Sequence, residues 1–209
     1  MTKGDRVLTH FAPFDSVNLF ESVTGLFENN VELRNSKAMS RTTVAFLIGY
    51  ISHLVADQLW VALIYKPYFN NRTIFPDVVT AKVMDRALQL ELDRRSYDQT
   101  ATALPQLINS DISVDIGFID PTTLQSWKEW VCAACSTSFN WERLLFLSAR
   151  RQDAENQTFA RGIAQDFLLS VETGLAGIFA KIPRTVIDTY NTRVIQESEK
   201  LVKEYLQCG

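Results

Sequence analysis

Histidine is the scarcest chemically active residue in this chain, with two in 209 residues. That excludes any metal centre built from three or more imidazoles. Glycine and proline are also few, eight and six, so the turns that a β-rich fold needs are missing and long helices joined by short loops are expected. Three cysteines are too few, and odd in number, for a disulfide framework. Cys132 and Cys135 form a single C-x-x-C inside a helical run and read as buried small hydrophobes. Neither charge dominates: 21 Lys and Arg stand against 24 Asp and Glu. No global basic field exists to hold nucleic acid or an anionic membrane. Phosphate-binding glycine loops and a G-x-S-x-G elbow are absent. No stretch at Met1 has the form of a signal peptide, and a cytoplasmic location is expected.

What is present is helical patterning without repeats or linkers, which predicts an all-α fold. We read residues 1–209 as a single multi-helix bundle around a central apolar helix at about residues 40–65. Met1 to Pro13 reads as a loop, followed by a short helix capped by Asp15 or Ser16 with Val17, Phe20, Val23 and Phe27 on one face. Pro67 is expected to stop the central helix. Pro76-Asp77 restarts one, with Val79, Val83, Ala87, Leu90 and Leu92 inside and Lys82, Asp85, Asp93, Arg94 and Arg95 outside. Asn109 to Asp120 reads as a connector and Pro121 as the first turn of the next helix. Trp127, Trp130 and Trp141 read as core or interface. Thr158 to Ile182 reads as one long helix, and Arg184 to Leu206 as an outer helix covering the core.

The central helix is too apolar for the polar residues it carries. Val44 to Tyr65 approaches the length of a membrane span, yet holds His53, Asp57 and Gln58 near its middle. A central Asp alone costs about 2.5–3.5 kcal/mol in a bilayer, so no transmembrane span is expected. His53 and Asp57, four apart, share a helical face. Burying both is costly unless they pair or bind a cation. They read either as a hydrogen-bonded structural pair or as a metal half-site that offers one imidazole nitrogen and one carboxylate oxygen. The other histidine, His10, lies with Asp5 in the segment that precedes the first aromatic-rich helix. His10, His53, Asp5 and Asp57 would make a four-ligand set for zinc, or three ligands with a water position open.

At these residues the chain resembles a known family. Ala45 to Trp60, A-F-L-I-G-Y-I-S-H-L-V-A-D-Q-L-W, is similar to the hallmark helix of the zinc-dependent phospholipase C family, and Arg6 to Phe11, R-V-L-T-H-F, to that family's earlier His-Arg-x-x-Thr-His element. The resemblance covers about residues 1–70, with 71–209 the remaining helices. It implies a phospholipase C- or nuclease-like helical fold, zinc ligation by His10, His53 and Asp57, and Asp5 in the place of the family's first histidine. It implies hydrolysis of a phospholipid or other phosphate ester, with Asp57 or Asp5 orienting the attacking water. The chain departs from the family at Val61, where a histidine commonly follows the Trp. The family's upstream metal-binding aspartate also has no counterpart in the sequence. Two histidines exclude a three-zinc site. A site with fewer ions, a site completed by acidic residues and a metal-free relative remain open; in the last, the aromatic surface would serve a partner or a homo-oligomer.

Overall fold

A computed structural model describes residues 3–14, 16, 18–114, 116–149 and 154–207, with the side chains of 3–6, 149 and 154 outside that description. Among the described residues there are ten α-helices and no strand, as the patterning predicts. The chain divides into two compact units: Met1–Leu63 with Leu107–Val131 and Asp188–Gly209, and Ile64–Gln106 with Cys132–Ile187.

In the first unit, α1 spans Lys3–His10 and α2 Glu21–Asn29. The expected loop over Met1 to Pro13 is therefore largely helix. Only Gly4 among residues 3–10 disfavours it, and Pro13 lies beyond its end. Phe11 closes α1 in the left-handed conformation at φ 56°, its N–H donating to the Val7 carbonyl at 2.9 Å. Asp15 and Val17 lie outside the described residues, and α2 begins later than expected, after Phe20 at φ 67°. The central helix α3, Arg41–Trp60, starts at Ser40, whose hydroxyl accepts from the Thr43 N–H at 3.1 Å. Leu47, Ile51, Leu54, Val55 and Leu59 on it are fully buried. Around them pack Leu26 of α2, Val114 and Ile116 of the connector, Leu124 and Tyr205.

Pro67 does not stop this helix. The chain runs on as a π-helix over Val61–Phe69 with Pro67 inside it. The Asn70 N–H donates to the Tyr65 carbonyl at 2.8 Å, five residues back. The wider turn moves away the carbonyl that a proline ring would strike in an α-helix. Arg41–Phe69 is the one continuous helix among the described residues that is long and apolar enough to cross a membrane. Half of its most apolar stretch is buried within the protein, which is what a core helix also requires.

In the second unit, α4 (Val78–Arg95) is capped by Asp77, whose carboxylate accepts from the Val79 and Thr80 N–H groups at 3.3 and 2.6 Å. Helices α7 (Arg143–Ala149), α8 (Ala154–Leu169) and α9 (Val171–Lys181) pack against it. Asp85, expected outside, is buried; Gln89 one turn on donates to it at 3.0 Å. The helix expected over Thr158 to Ile182 is two helices bent by 106°. The bend falls at Ser170, whose hydroxyl accepts from the Thr173 N–H and starts a new helix. Gly174 holds the corner shut, since a Cβ there would sit 2.4 Å from the Phe167 ring.

The remaining helices are α5 (Tyr97–Asn109), α6 (Pro121–Ser136) and α10 (Arg184–Gln207). Asp120 caps α6 by accepting from Thr122 and Thr123, bonds that drive its carboxyl down to about 2. Tyr190, Val194 and Leu201 of α10 pack on the first unit's core as the pattern predicts. Trp127 and Trp130 are about half exposed and are not core. Trp141 is half-buried between Phe139 and Phe167, with ring centres at 5.4 and 5.6 Å. Cys132 and Cys135 are free thiols and only half-buried.

Candidate functional site

The short helix α1 is fastened to the first unit's core at its C-terminal end. The Tyr50 hydroxyl of α3 donates to the Thr9 carbonyl in a buried bond. Burial holds that phenol well above its ordinary value. Phe11 and Tyr50 both pack on Phe118, with ring centres 5.1 and 5.2 Å away. On the other side the backbone of Phe11 lies against Gly25 of α2. A Cβ at Gly25 would fall 2.6 Å from the Phe11 carbonyl oxygen, so only glycine permits this approach.

With α1 held in that way, His10 meets His53. Their Nε2 atoms are 3.3 Å apart, and the rings stand edge to face with centres 5.2 Å apart. On the far side of the His10 ring, Nδ1 lies 3.0 Å from the Thr9 hydroxyl. If Nδ1 donates there, the His10 Nε2 carries a lone pair towards His53. Two readings of a 3.3 Å nitrogen pair exist. One ring can donate N–H to the other, or both lone pairs can share one ion. With Zn–N bonds of 2.0–2.1 Å, two nitrogens on a tetrahedral zinc stand about 3.3–3.4 Å apart. The observed separation fits that span without movement, and His53 is exposed, so an ion can reach it.

Among the described side chains, Asp57 does not join the pair as a closed metal cluster. Asp57 is half-buried, one turn along α3 from His53, and its charge acts on Tyr190 of α10. Burial first, and then that carboxylate, push the Tyr190 phenol up to about 12. The Tyr190 ring stands edge-on to Trp60 at 5.3 Å, and its hydroxyl donates to the Ala56 carbonyl at 3.4 Å. The backbone of Asp5 belongs to α1, while its side chain lies outside the described residues. Among the described residues, no three His, Cys, Asp or Glu side chains converge as a metal cluster. Gln58 instead bonds neighbouring backbone, accepting from the Ser22 N–H at 3.3 Å and donating to the Asn18 carbonyl at 3.4 Å. Ser52 beside His53 turns its hydroxyl back to the Ile48 carbonyl at 2.9 Å.

Three contributors have roles that motif reading does not assign, although Thr9 and Tyr50 stand within the two motifs. Thr9 and Tyr50 hold His10, and Gly25 admits Phe11. A tyrosine one turn before His53 on the same face was the available signal for the second.

These features define a class, an all-α protein with a preassembled histidine pair at its surface. No family model, no curated protein and no solved structure matches the chain.

Proposed function

We propose that the protein binds zinc through His10 and His53 and is a reduced relative of the phospholipase C-like phosphoester hydrolases. The observation that carries this reading is the 3.3 Å separation of the two Nε2 atoms, the spacing of two nitrogens on one tetrahedral ion. Asp5 and Asp57 are the candidates for a further ligand and for orienting water. A bound zinc would supply hydroxide near neutral pH and polarise a phosphoryl oxygen. The chain's own contribution is positional. Thr9 holds one imidazole by its Nδ1, and Tyr50 holds the helix that carries it. The substrate class is a phospholipid or another phosphate ester, in a cytoplasmic setting.

Elemental analysis of untagged protein, purified without added metal, tests this. About one zinc per chain, lost in His53→Ala, together with phosphodiester hydrolysis by the zinc-loaded wild type, is the expected result. Zinc-loaded protein that cleaves no phosphodiester removes the catalytic half.

A non-catalytic helical relative is the second reading. It is favoured by the lack of a third converging ligand among the described residues. There the two imidazoles share a proton and fasten α1 to α3, and the exposed Trp127 and Trp130 serve a partner or a second copy. Metal-free protein in both wild type and His53→Ala is its expected signature.

A further inference from the structure

The chain carries a net charge of −3, yet the second unit gathers two arginines on one carboxylate and sets a third on a ring that one of them also meets. Glu91 of α4 is 3% exposed. Its Oε2 accepts from Arg94 Nε at 2.7 Å, and its Oε1 from Arg94 Nη2 at 3.0 Å and Arg95 Nε at 2.8 Å. Those bonds occupy the carboxylate and lock both side chains. Arg95 keeps its two terminal nitrogens, and its guanidinium lies 5.5 Å from the centre of the Phe179 ring of α9. Arg184, the first residue of α10, stacks on that same ring at 4.3 Å. Among the described residues Arg184 has no carboxylate partner.

Two guanidinium groups against one ring, one of them held by a Glu91 carboxylate that is shared with Arg94, carry like charges that repel. An anion beside them removes that repulsion. Stacking on an aromatic face and locking by a buried acid both fix a guanidinium's plane in advance, which leaves little side-chain entropy to lose on binding. Each fork presents paired N–H groups, the geometry that grips two oxygens of an oxyanion. A carboxylate offers oxygens for one fork only. A phosphoryl or diphosphoryl group offers enough for two.

We propose that Arg95 and Arg184, held on Phe179 and backed by Glu91, bind the phosphoryl oxygens of a phosphate ester or diphosphate. This site shares no residue with the histidine pair and does not depend on metal.

The probe is inorganic pyrophosphate, titrated calorimetrically into the full chain against chloride at matched ionic strength. A parallel arm measures co-sedimentation with phosphatidylcholine vesicles containing phosphatidic acid. Saturable binding to pyrophosphate assigns a soluble phosphate ester, and binding to vesicles alone assigns a lipid headgroup. In either arm Arg184→Gln and Arg95→Gln each weaken binding about tenfold, as the loss of a charged hydrogen-bonded contact requires. Phe179→Leu, which leaves every charge in place, weakens it several-fold. His53→Ala leaves it unchanged. Arg184 is exposed, so its substitution leaves the helical circular dichroism intact. No saturable binding in either arm overturns the proposal. Binding that survives Arg184→Gln, or that disappears in His53→Ala, overturns it as well.

Discussion

Helices α3 and α4 each carry polar side chains within a largely apolar sequence, and each deals with them differently. On α4 the buried Glu91 is completed by the protein alone, with Arg94 and Arg95 supplying three hydrogen bonds to its two oxygens. Burial pushes that carboxyl upward, but the arginine hydrogen bonds and charges outweigh it and hold it below its usual range. On α3 the exposed His53 meets the His10 imidazole, two nitrogens 3.3 Å apart, with the Tyr50 ring 6.0 Å from its own. A carboxylate with both oxygens bonded to arginines is a structural device. A pair of nitrogens spaced for one ion, open to solvent, has room for further ligands. The difference lies in the chemistry of the partner each group meets.

The contrast can be tested first where the largest effect is expected. Glu91→Gln removes a charge that orders two arginines and should cost about 1–3 kcal/mol in urea unfolding at neutral pH. Because the folded carboxyl titrates below its ordinary 4.5, the ionic part of that stability is complete above pH 4.5. It is lost as pH falls through the lower folded value. The gap between wild type and Glu91→Gln should therefore close in acid. A gap that stays constant from pH 7 to pH 3 would show that the ion pairs are not its source.

Tyr50→Phe is expected to act less strongly on stability but to reach the histidine pair. It deletes the hydroxyl bonded to the Thr9 carbonyl, at about 1 kcal/mol. It should also weaken zinc binding several-fold in a competition assay with a chromophoric chelator. Unchanged zinc affinity would mean that Tyr50 does not position His10. The smallest effect belongs to His53→Ala without metal. An exposed side chain away from the core should change stability by less than about 0.5 kcal/mol. A loss well above 1 kcal/mol would move the pair into the same structural category as Glu91.

Much of the fold was legible from residue patterns because helix signals are local. Ser40, Asp77 and Asp120 cap helices within three residues of themselves, and Val79, Val83, Ala87 and Leu90 of α4 face inward as expected, with Leu92 half-buried. The errors came where tertiary packing overrode a local rule. Pro67 reads as a stop, yet a π-helical turn takes it in. Ser170 carries no strong break signal, but its cap and the Phe167 ring pressed on Gly174 set a sharp corner. Asp85 reads as solvent-facing, and only the fold reveals its burial. At the site, His10 and His53 stood out by scarcity and context. Their contact depends on Gly25 and Phe11, whose pairing no short-range pattern announces.

Helix α1 has eight residues, too few to be stable in water by itself. It also ends in a left-handed phenylalanine, a conformation that costs roughly 1–2 kcal/mol for a residue bearing a Cβ. Its helical form therefore persists only while docked through Thr9 and Phe11, and docking is an equilibrium. His10 is presented only in the docked population. The apparent affinity of anything that needs both imidazoles is then the intrinsic affinity scaled by that population. By mass action such a ligand would in turn hold α1 in place, so protection of the α1 amides from hydrogen exchange becomes a gauge of occupancy.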